Sequence, residues 1–459
     1  MTGNLKGCEP VTAIEHRKGG WRNLGVSPER AFAAVVALSI ALRLVALVLG
    51  AREPLVSDST DYREMAALLA SGARFLPYWP PGLPLYLAPF LAAGFGDAVL
   101  RAAMLLWWLL FCWGTWRLVV DLGVKRIGWL VLLVFAIAPT EIHFSMESMT
   151  QMPAAALLLI AASAALRCAR GAGWGEALLL GVSLGYLSLV RPSVLPLLVV
   201  IPALVFLRRR RLAGPIAAML IGGAMIFGWM ARVHQLSGVW TVNTSNGVNL
   251  YYGNNPWTPM YRTWYFGSHA KPGSEEILEF PEYAEIMERV SALPRAKRSA
   301  EYQRLAVSYV THAPGAFVLR TLNRVRCFWG FDTFTAANLR SVPGWMHRLF
   351  VPVLALDALC FLAIVGFAVY WLACAPGVFW LQWDTWLLGG TVVLYSLPYW
   401  VTMSHPTYHF PVMAPLALLG VKAREASAAS LRAPRWHGWL GVTALGLIQV
   451  EWMFYLAKG

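Results

Sequence analysis

Apolar runs of about the length needed to cross a lipid bilayer are the feature that most constrains this chain. A membrane-spanning helix needs about 20 consecutive, mostly apolar residues. We count eleven such runs, at residues 31–50, 98–120, 127–145, 152–167, 175–190, 192–207, 212–234, 348–372, 384–402, 407–421 and 437–456. This pattern predicts an all-α polytopic membrane protein with about 11 transmembrane helices.

The composition agrees with a membrane protein. Of the 459 residues, 58% are hydrophobic and only 14% are charged, whereas soluble domains carry about 25% charged residues. The 22 Trp and 16 Tyr residues suit the aromatic belts at membrane–water interfaces. In a soluble protein the net charge of +14 would point to nucleic acid. Here the basic residues lie in short connectors between apolar runs, so no nucleic-acid partner is expected.

Positively charged connectors predict how the helices are oriented. Lys and Arg are frequent in the N-terminal tail and in alternate connectors, including Lys125–Arg126 and Arg208–Arg211. Such residues are enriched in loops that remain in the cytoplasm. We therefore expect residues 1–30 to form a cytoplasmic tail and the loop 51–97 to lie on the outer side of the membrane.

A hydrophilic insertion divides the apolar runs into two modules. Residues 31–234 form an N-terminal transmembrane module of about seven helices, and residues 347–459 form a C-terminal module of about four. Between them, residues 235–346 are expected to form an extracytoplasmic domain.

Two kinds of pattern occur within this insertion. Apolar residues recur with helical spacing at 283–290 and at 302–309, which predicts amphipathic helices and a mostly helical domain. The Gly- and Asn-rich opening at 243–256 predicts a non-helical segment.

The outer loop carries acidic residues at the start of a helical pattern. Asp58 and Asp61 stand beside Tyr62, and the pattern ends in the stiff turn Pro80-Pro81-Gly82. One interpretation is that Asp58 caps a helix beginning near Thr60, since Asp is a favoured N-cap residue. The other is a general base, because a partly desolvated carboxylate can take a proton from a hydroxyl. The residues by themselves leave both interpretations open.

Other features of the chain have simpler structural explanations. Phosphate-binding loops of soluble enzymes, HExxH and paired CxxC motifs are absent from the sequence. The GVSLG segment at 181–185 fits GxSxG, but it lies in an apolar run and predicts a small-residue packing face. Arg43 lies within the first run, where an arginine is often functional. We expect its side chain instead to reach the outer headgroups by snorkelling.

Three blocks resemble the GT-C glycosyltransferases. DSTDY at 58–62 and PPGLPLYLA at 80–88 resemble the first outer loop of the branch that contains protein O-mannosyltransferases and the aminoarabinose transferase of lipid A. TSNGVNLYYGNNP at 244–256 resembles that family's S-T-N-G-G-x-N-L-x-x-G-N-N-P block. Arg191-Pro192 is similar to its R-P pair.

The resemblance implies a reaction. Such enzymes transfer a sugar, with inversion, from a polyprenyl-phosphate donor to a hydroxyl at the outer face of the membrane. It implies a location in the bacterial inner membrane and a lipid, glycan or protein as acceptor. Carried onto this chain, the base is Asp58, with Asp61 as the second candidate. Asp58 is also the residue that would bind a divalent cation if one is used. The sugar and the acceptor remain open.

The same resemblance, with the chemistry of a departing phosphate, implies further site residues. Groups that would bind the donor or stabilise its phosphate charge are Arg191, Arg320, Arg324, His405, His409 and Tyr62. Groups expected near the sugar or acceptor are Glu147, Asn246, Asn249 and Asn254. For the histidines, interface hydrogen bonding is an alternative, and for the asparagines it is turn formation.

Two positions depart from the family pattern. Gln151 stands where the family often has Glu, and Glu147 or Glu141 would have to substitute for it. Thr407 stands where the family has Arg in R-Y-x-x-P, so His405 or His409 would have to contact the phosphate.

A multi-pass transporter or lipid flippase is the alternative function, and a structural or regulatory membrane protein is a third. Transporters tend to show matching halves and charges along a path through the midplane. This chain has its acids in outer loops and no matching halves, which favours the transferase.

The orientation is testable with reporter tags. A tag at Lys125 and a tag at Ser274 are expected to report opposite sides of the membrane, because Lys125 lies in a basic connector and Ser274 in the hydrophilic insertion. Labelling in intact cells with a membrane-impermeant reagent measures this. Both tags on one side would contradict the predicted topology.

Overall fold

The computed structural model describes residues 27–50, 55, 57–270, 273–341, 345–429 and 436–457. Within these residues the chain forms helices joined by turns, with no β-strand, so the all-α prediction is confirmed. Most of the predicted cytoplasmic tail, 1–30, lies outside the described residues.

Among the residues that the structure describes, the N-terminal part of the chain contains ten α-helices. They are α1 (Pro28–Gly50), α2 (Asp58–Ala70), α3 (Gly82–Ala92), α4 (Asp97–Asp121), α5 (Lys125–Ile137), α6 (Pro139–Phe144), α7 (Gln151–Ala169), α8 (Trp174–Val190), α9 (Leu197–Arg209) and α10 (Ala213–Ser237).

The middle and C-terminal parts contain twelve more. They are α11 (Asn246–Gly253), α12 (Tyr265–His269), α13 (Pro281–Ser291), α14 (Arg295–His312), α15 (Pro314–Phe328), α16 (Phe334–Ser341), α17 (Phe350–Phe361), α18 (Phe367–Ala373), α19 (Gly377–Trp380), α20 (Trp383–Val401), α21 (Phe410–Ala429) and α22 (Trp436–Ala457).

Seven helices among the described residues are long and apolar enough to cross a membrane. They are Pro28–Gly50, Asp97–Asp121, Gln151–Ala169, Pro192–Arg209, Ala213–Ser237, Trp345–Ala373 and Trp436–Leu456. The other four predicted runs, 127–145, 175–190, 384–402 and 407–421, are also largely helical. Their helices are either too short or not apolar enough to be counted with the seven. These seven helices support a membrane protein.

Helix α7 lies at the centre of the helical bundle. Nearly all of its side chains are buried, and it packs against α4, α8, α9 and α21. Its many alanines allow neighbouring backbones to approach closely. A Cβ atom added at Gly114 of α4 would lie only 3.0 Å from the Cβ of Leu159 of α7.

The small-residue face predicted at 181–185 is confirmed. A Cβ atom added at Gly181 would lie 2.7 Å from the carbonyl oxygen of Ala218, and one added at Gly185 would lie 2.6 Å from the Cα atom of Gly222. Helices α8 and α10 are therefore in backbone contact along this face, as small residues permit in membrane helices.

Arg43 of α1 is fully buried, so the prediction that it snorkels to the headgroups is wrong. Its guanidinium donates to the carbonyls of Ala136 (3.2 Å) and Phe135 (3.3 Å). Its central carbon lies 3.3 Å from the ring centroid of Trp108. The side chain thus joins α1, α4 and the end of α5.

The break between α5 and α6 explains why a guanidinium is needed there. The carbonyl of Phe135 would normally accept from the amide of residue 139, which is Pro139 and has no N–H. The carbonyl of Ala136 would accept from Thr140, whose amide instead donates to Asp357 (2.8 Å). Both carbonyls are left without helical partners, and buried carbonyls require donors.

The insertion between the modules has its own apolar core, built from residues of α11, α12, α13 and α14. The amphipathic helices predicted there are present as α13 and α14. The prediction that 243–256 is non-helical is wrong, because α11 spans Asn246–Gly253. Burial of Tyr251 and Tyr252 against this core outweighs the low helix propensity of Gly and Asn.

Packing of α8 on α10 generates a prediction. Gly185→Ala should lower the free energy of unfolding by about 1–3 kcal/mol, because the added methyl group would force the two helices apart. Gly223→Ala on α10 is the control, because a Cβ atom there meets nothing within 4 Å. Unfolding of both variants in detergent measures the difference. Equal stability would mean that the two helices are not in backbone contact.

Candidate functional site

Three distant parts of the sequence meet around one large cavity. It has a volume of about 1210 Å³, and its walls include Asp58 and Asp61 of α2, Asn249 of α11 and His405 before α21. The two acids therefore share a cavity with residues from the 244–256 block and from the C-terminal region. Pockets of this size suit a ligand larger than a single sugar.

The first turn of α2 presents the two carboxylates to the cavity. The helix begins at Asp58, and Ser57 occupies the N-cap position, so the prediction that Asp58 caps a helix starting near Thr60 is wrong. Ser57 has φ 51°, which is uncommon for a residue with a side chain and is found at functional sites. Asp58 is half-buried and Asp61 exposed.

The Pro80-Pro81-Gly82 turn fixes the outer loop against α8. A Cβ atom added at Gly82 would lie 2.6 Å from the backbone nitrogen of Val190, so only glycine fits this approach. The hydroxyl of Tyr186 also donates to the carbonyl of Gly82 (2.8 Å). The turn therefore packs directly against the end of α8, next to Arg191.

The outer loop is also bonded to the segment before α11. The amides of Thr244 and Ser245 donate to the carbonyls of Pro77 (3.0 Å) and Tyr78 (3.1 Å). The side-chain amide of Asn243 donates to the carbonyl of Tyr78 as well (3.3 Å). These bonds hold the α11 side of the cavity opposite α2.

Tyr62 and Arg191 lie behind the cavity wall rather than on it. Tyr62 is buried, shares a hydrogen bond with Thr150 and lies close to both Asp58 and Arg191. Burial, and then the charge of Asp58, raise the pKa of the Tyr62 phenol, so it stays an O–H donor. Arg191 donates to the hydroxyl of Tyr399 (2.7 Å).

Arg320 and Arg324 of α15 do not line the cavity. Arg320 donates to the carbonyls of Asn255 (2.8 Å) and Thr258, and Arg324 to the carbonyls of Gly253 and Val401. Both are almost completely buried. Burial, and then the neighbouring Arg320 charge, lower the pKa of Arg324 to about 9, so it remains charged near neutral pH.

Three other predicted site residues, Glu147, Asn254 and Asn246, do not line the cavity. Glu147 is buried in an ion pair with Arg101 (3.0 Å). The side-chain amide of Asn254 donates to the carbonyls of Leu250 and Val401, and Asn246 is exposed outside the cavity wall.

His409 faces away from the large cavity. Its Nδ1 lies 2.7 Å from the carbonyl of Phe328, which accepts its proton. The structure therefore brings Asp58, Asp61, Asn249 and His405 together at the cavity.

Sequence reasoning missed two basic residues on the cavity wall, Arg295 and Arg298. They lie in the first turn of α14, after Pro294. Positive charges at a helix N-terminus oppose the helix dipole, and this unfavourable placement is the signal that could have identified them. Arg298 is held by the carbonyls of Leu293 (3.0 Å) and Ser291.

The donor set gives limited support to a divalent cation. The described residues contain no group of three or more His, Cys, Asp or Glu side chains that could hold a metal ion. Asp58 and Asp61 alone would need substrate oxygens to complete a coordination shell.

No family model matches this chain, and no curated protein matches it either.

The buried arginines of α15 generate a prediction about stability. Arg324→Gln should destabilise the fold by about 1–3 kcal/mol, because it removes the guanidinium donor to the buried carbonyl of Gly253 and one of the two side-chain donors to Val401. Hydrogen exchange of residues 246–258 in the ligand-free protein measures this. Arg304→Gln, which breaks an exposed pair with Glu301, is the control and should leave exchange unchanged. Unchanged exchange in Arg324→Gln would contradict the structural role.

Proposed function

We propose that this protein is an integral-membrane glycosyltransferase of the GT-C type. It transfers a monosaccharide, with inversion, from a polyprenyl-phosphate donor to a hydroxyl of a lipid, glycan or protein. The observation that carries the proposal is the convergence of residues from the 58–62 and 244–256 blocks, with His405, on one cavity. Parts of the chain nearly 350 residues apart meet there, and these include two of the blocks that resemble that family.

The proposed topology has about 11 membrane spans, with an extracytoplasmic domain at 235–346. The tail at 1–30 is cytoplasmic, and the cavity opens on the outer side of a bacterial inner membrane. The separate apolar core of the insertion and the basic connectors on the opposite side of the spans support this arrangement.

In the proposed reaction Asp58 is the general base. Its carboxylate takes the proton of the acceptor hydroxyl while that oxygen attacks the anomeric carbon of the sugar. The bond from that carbon to the phosphate oxygen breaks, and the polyprenyl phosphate leaves with the bonding electron pair. A half-buried carboxylate is suited to this task because partial desolvation strengthens its basicity. Asp61, one turn further along α2, is the second candidate.

Two groups of residues would support Asp58. Tyr62 lies close to it as a buried neutral phenol, with Arg191 nearby. Arg295, Arg298 and His405 line the cavity and are placed to stabilise the charge that develops on the departing phosphate. Arg320 and Arg324 would act only by holding the loop at 253–258.

The lining also suits a sugar. Aromatic side chains alternate with polar groups on the cavity wall, among them Tyr78, Trp79, Asn249 and Trp264. Apolar walls with a few convergent polar groups are typical of small-molecule sites. Asn249 supplies both a donor and an acceptor for sugar hydroxyls.

A transporter or flippase receives less support from the buried charges. Arg43 is bound to backbone carbonyls, and Arg101 is paired with Glu147. Transporters instead place charges where a substrate path crosses the midplane. The acids on the large cavity, Asp58 and Asp61, belong to an outer loop.

Asp58→Asn tests the assignment of the base. The substitution should leave membrane insertion and abundance unchanged and lower the rate of sugar transfer by about 100-fold or more, because the amide cannot accept the proton. Transfer from a radiolabelled polyprenyl-phosphate sugar in membranes overproducing the protein measures this.

Glu64→Gln is the matched control, since Glu64 is an exposed acid of the same helix that does not line the cavity. It should retain the original rate. Turnover by Asp58→Asn near that rate would remove Asp58 as the base. Lipids and glycans of cells with and without the protein, compared by mass spectrometry, would identify the sugar and acceptor.

A further inference from the structure

A chain of hydrogen bonds leads from the cavity wall to a buried carboxyl group. The Nδ1 atom of His405 lies 2.7 Å from the hydroxyl oxygen of Thr407, and that hydroxyl lies 3.2 Å from Oδ1 of Asp332. His405 and Thr407 line the large cavity, whereas Asp332 lines a separate, small cavity. Thr407 therefore connects the two.

The contacts of His405 define where its proton resides. The backbone amide of Thr407 also donates to Nδ1 of His405 (3.2 Å), so in this arrangement Nδ1 is an acceptor. A neutral imidazole with Nδ1 unprotonated carries its proton on Nε2. His405 is thus a neutral donor to the cavity, and burial, followed by the nearby His409, lowers its pKa to about 4.

The hydroxyl of Thr407 has one proton but two acceptors beside it. If that proton goes to Nδ1 of His405, the shorter contact, then Asp332 receives no hydrogen bond from Thr407. Asp332 then keeps backbone amides as its donors, from Phe334 to Oδ1 (2.9 Å) and from Thr333, and its buried Oδ2 has no hydrogen-bond partner. A buried anion with so few donors is unfavourable.

The surroundings of Asp332 favour a proton on it. Glu141, Asp357 and His409 share its small cavity of about 20 Å³, a space that holds roughly one water molecule. Burial raises the pKa of Asp332 to about 6. A protonated Asp332 donates to Thr407, whose hydroxyl then donates to His405, so that the hydroxyl and Nδ1 are both satisfied.

We propose that Asp332, Thr407 and His405 form a proton relay that converts His405 from a neutral to a cationic donor when a phosphate anion occupies the cavity. The O–H bond of Asp332 breaks as its proton passes to the Thr407 oxygen. The original Thr407 proton passes to Nδ1 of His405. Asp332 becomes an anion and His405 an imidazolium, with no change in total charge.

The relay rests on the proposed function for the identity of the anion, a lipid-linked phosphate. It accounts for Thr407, which replaces an arginine of the resembled pattern and has no charge of its own. The fixed cations lining the described part of the cavity, Arg295 and Arg298, both lie on α14. His405, which lies before α21, supplies a further positive charge only when a ligand is present.

Other charged groups also face the relay. His409 lies one turn from His405, the hydroxyl of Tyr408 lies on the same segment, and Asp58 and Asp61 line the cavity. The acids favour the imidazolium and His409 opposes it. Asp332 faces the two acids of its small cavity, which oppose its ionisation. Anion binding is the added interaction that moves the proton.

A binding experiment with a non-titrating probe tests the relay. The probe is a short-chain isoprenyl methyl phosphate diester, which keeps a single negative charge across neutral pH. Its affinity for the full-length protein in nanodiscs is measured by calorimetry. Below about pH 6 Asp332 already holds the proton. Above it the proton must come from solvent, so affinity should fall about tenfold per pH unit.

Three variants separate the relay from simple loss of structure. Thr407→Val removes the bridging hydroxyl and should reduce the pH dependence to less than about twofold. Thr407→Ser keeps the hydroxyl and should restore it. Asp332→Asn, similar in shape, removes the carboxylate that stabilises the imidazolium through Thr407, so His405 should stay neutral and the pH dependence should again be lost. Calorimetry in two buffers of different ionisation enthalpy should show proton uptake by the wild-type protein and Thr407→Ser only.

The outcomes distinguish the relay from the proposed function. If Thr407→Val shows the same pH dependence of affinity as the wild-type protein, the relay is wrong and the proposed function is unaffected. If Thr407→Val does not fold, the same comparison is made with Asp332→Asn. Binding by the wild-type protein without pH dependence would also overturn the relay alone. Absence of binding at every pH would overturn the lipid-phosphate ligand, and the relay's role with it.

Discussion

The cavity depends on a small set of backbone hydrogen bonds between segments far apart in the chain. The amides of Thr244 and Ser245 donate to Pro77 and Tyr78, just before the Pro80-Pro81-Gly82 turn that packs on α8. Two unrelated constraints, these hydrogen bonds and the close approach at Gly82, therefore fix the same short stretch of outer loop. Because that stretch follows α2 directly, it also sets where the carboxylates of α2 stand relative to α11.

Buried arginines in this protein donate hydrogen bonds to backbone carbonyls at breaks and ends of helices inside the packed structure. Arg43, Arg320 and Arg324 each donate to two or more carbonyls. At α5 the cause is visible in the sequence, since Pro139 has no amide proton. A planar guanidinium with five donors suits this use better than an ammonium group. Positive charge inside such a chain therefore does not by itself mark a ligand site.

The proposed chemistry divides charge between two helices that border the cavity. Carboxylates stand at the start of α2, where the helix dipole suits negative charge. Fixed cations stand at the start of α14, where the dipole opposes them, so an anionic ligand would relieve that conflict. His405 is neutral without a ligand, and it becomes cationic when Asp332 gives up a proton through Thr407. In the proposed relay, the attraction between His405 and the anion therefore arises only once the anion is in the cavity.

The sequence by itself determined the all-α class, the apolar helices and the acidic first turn of α2, because apolar periodicity and an acidic first turn are local properties. It misjudged 243–256, since local propensity contains no information about the core that tyrosines of α11 join. It also selected Arg320 and Arg324 as candidate donor contacts and missed Arg295 and Arg298, although the position of the second pair at the start of a helical pattern was visible in it. Only the tertiary structure decided which of these arginines line the cavity and which are buried against carbonyls of distant segments, because that depends on where other parts of the chain end.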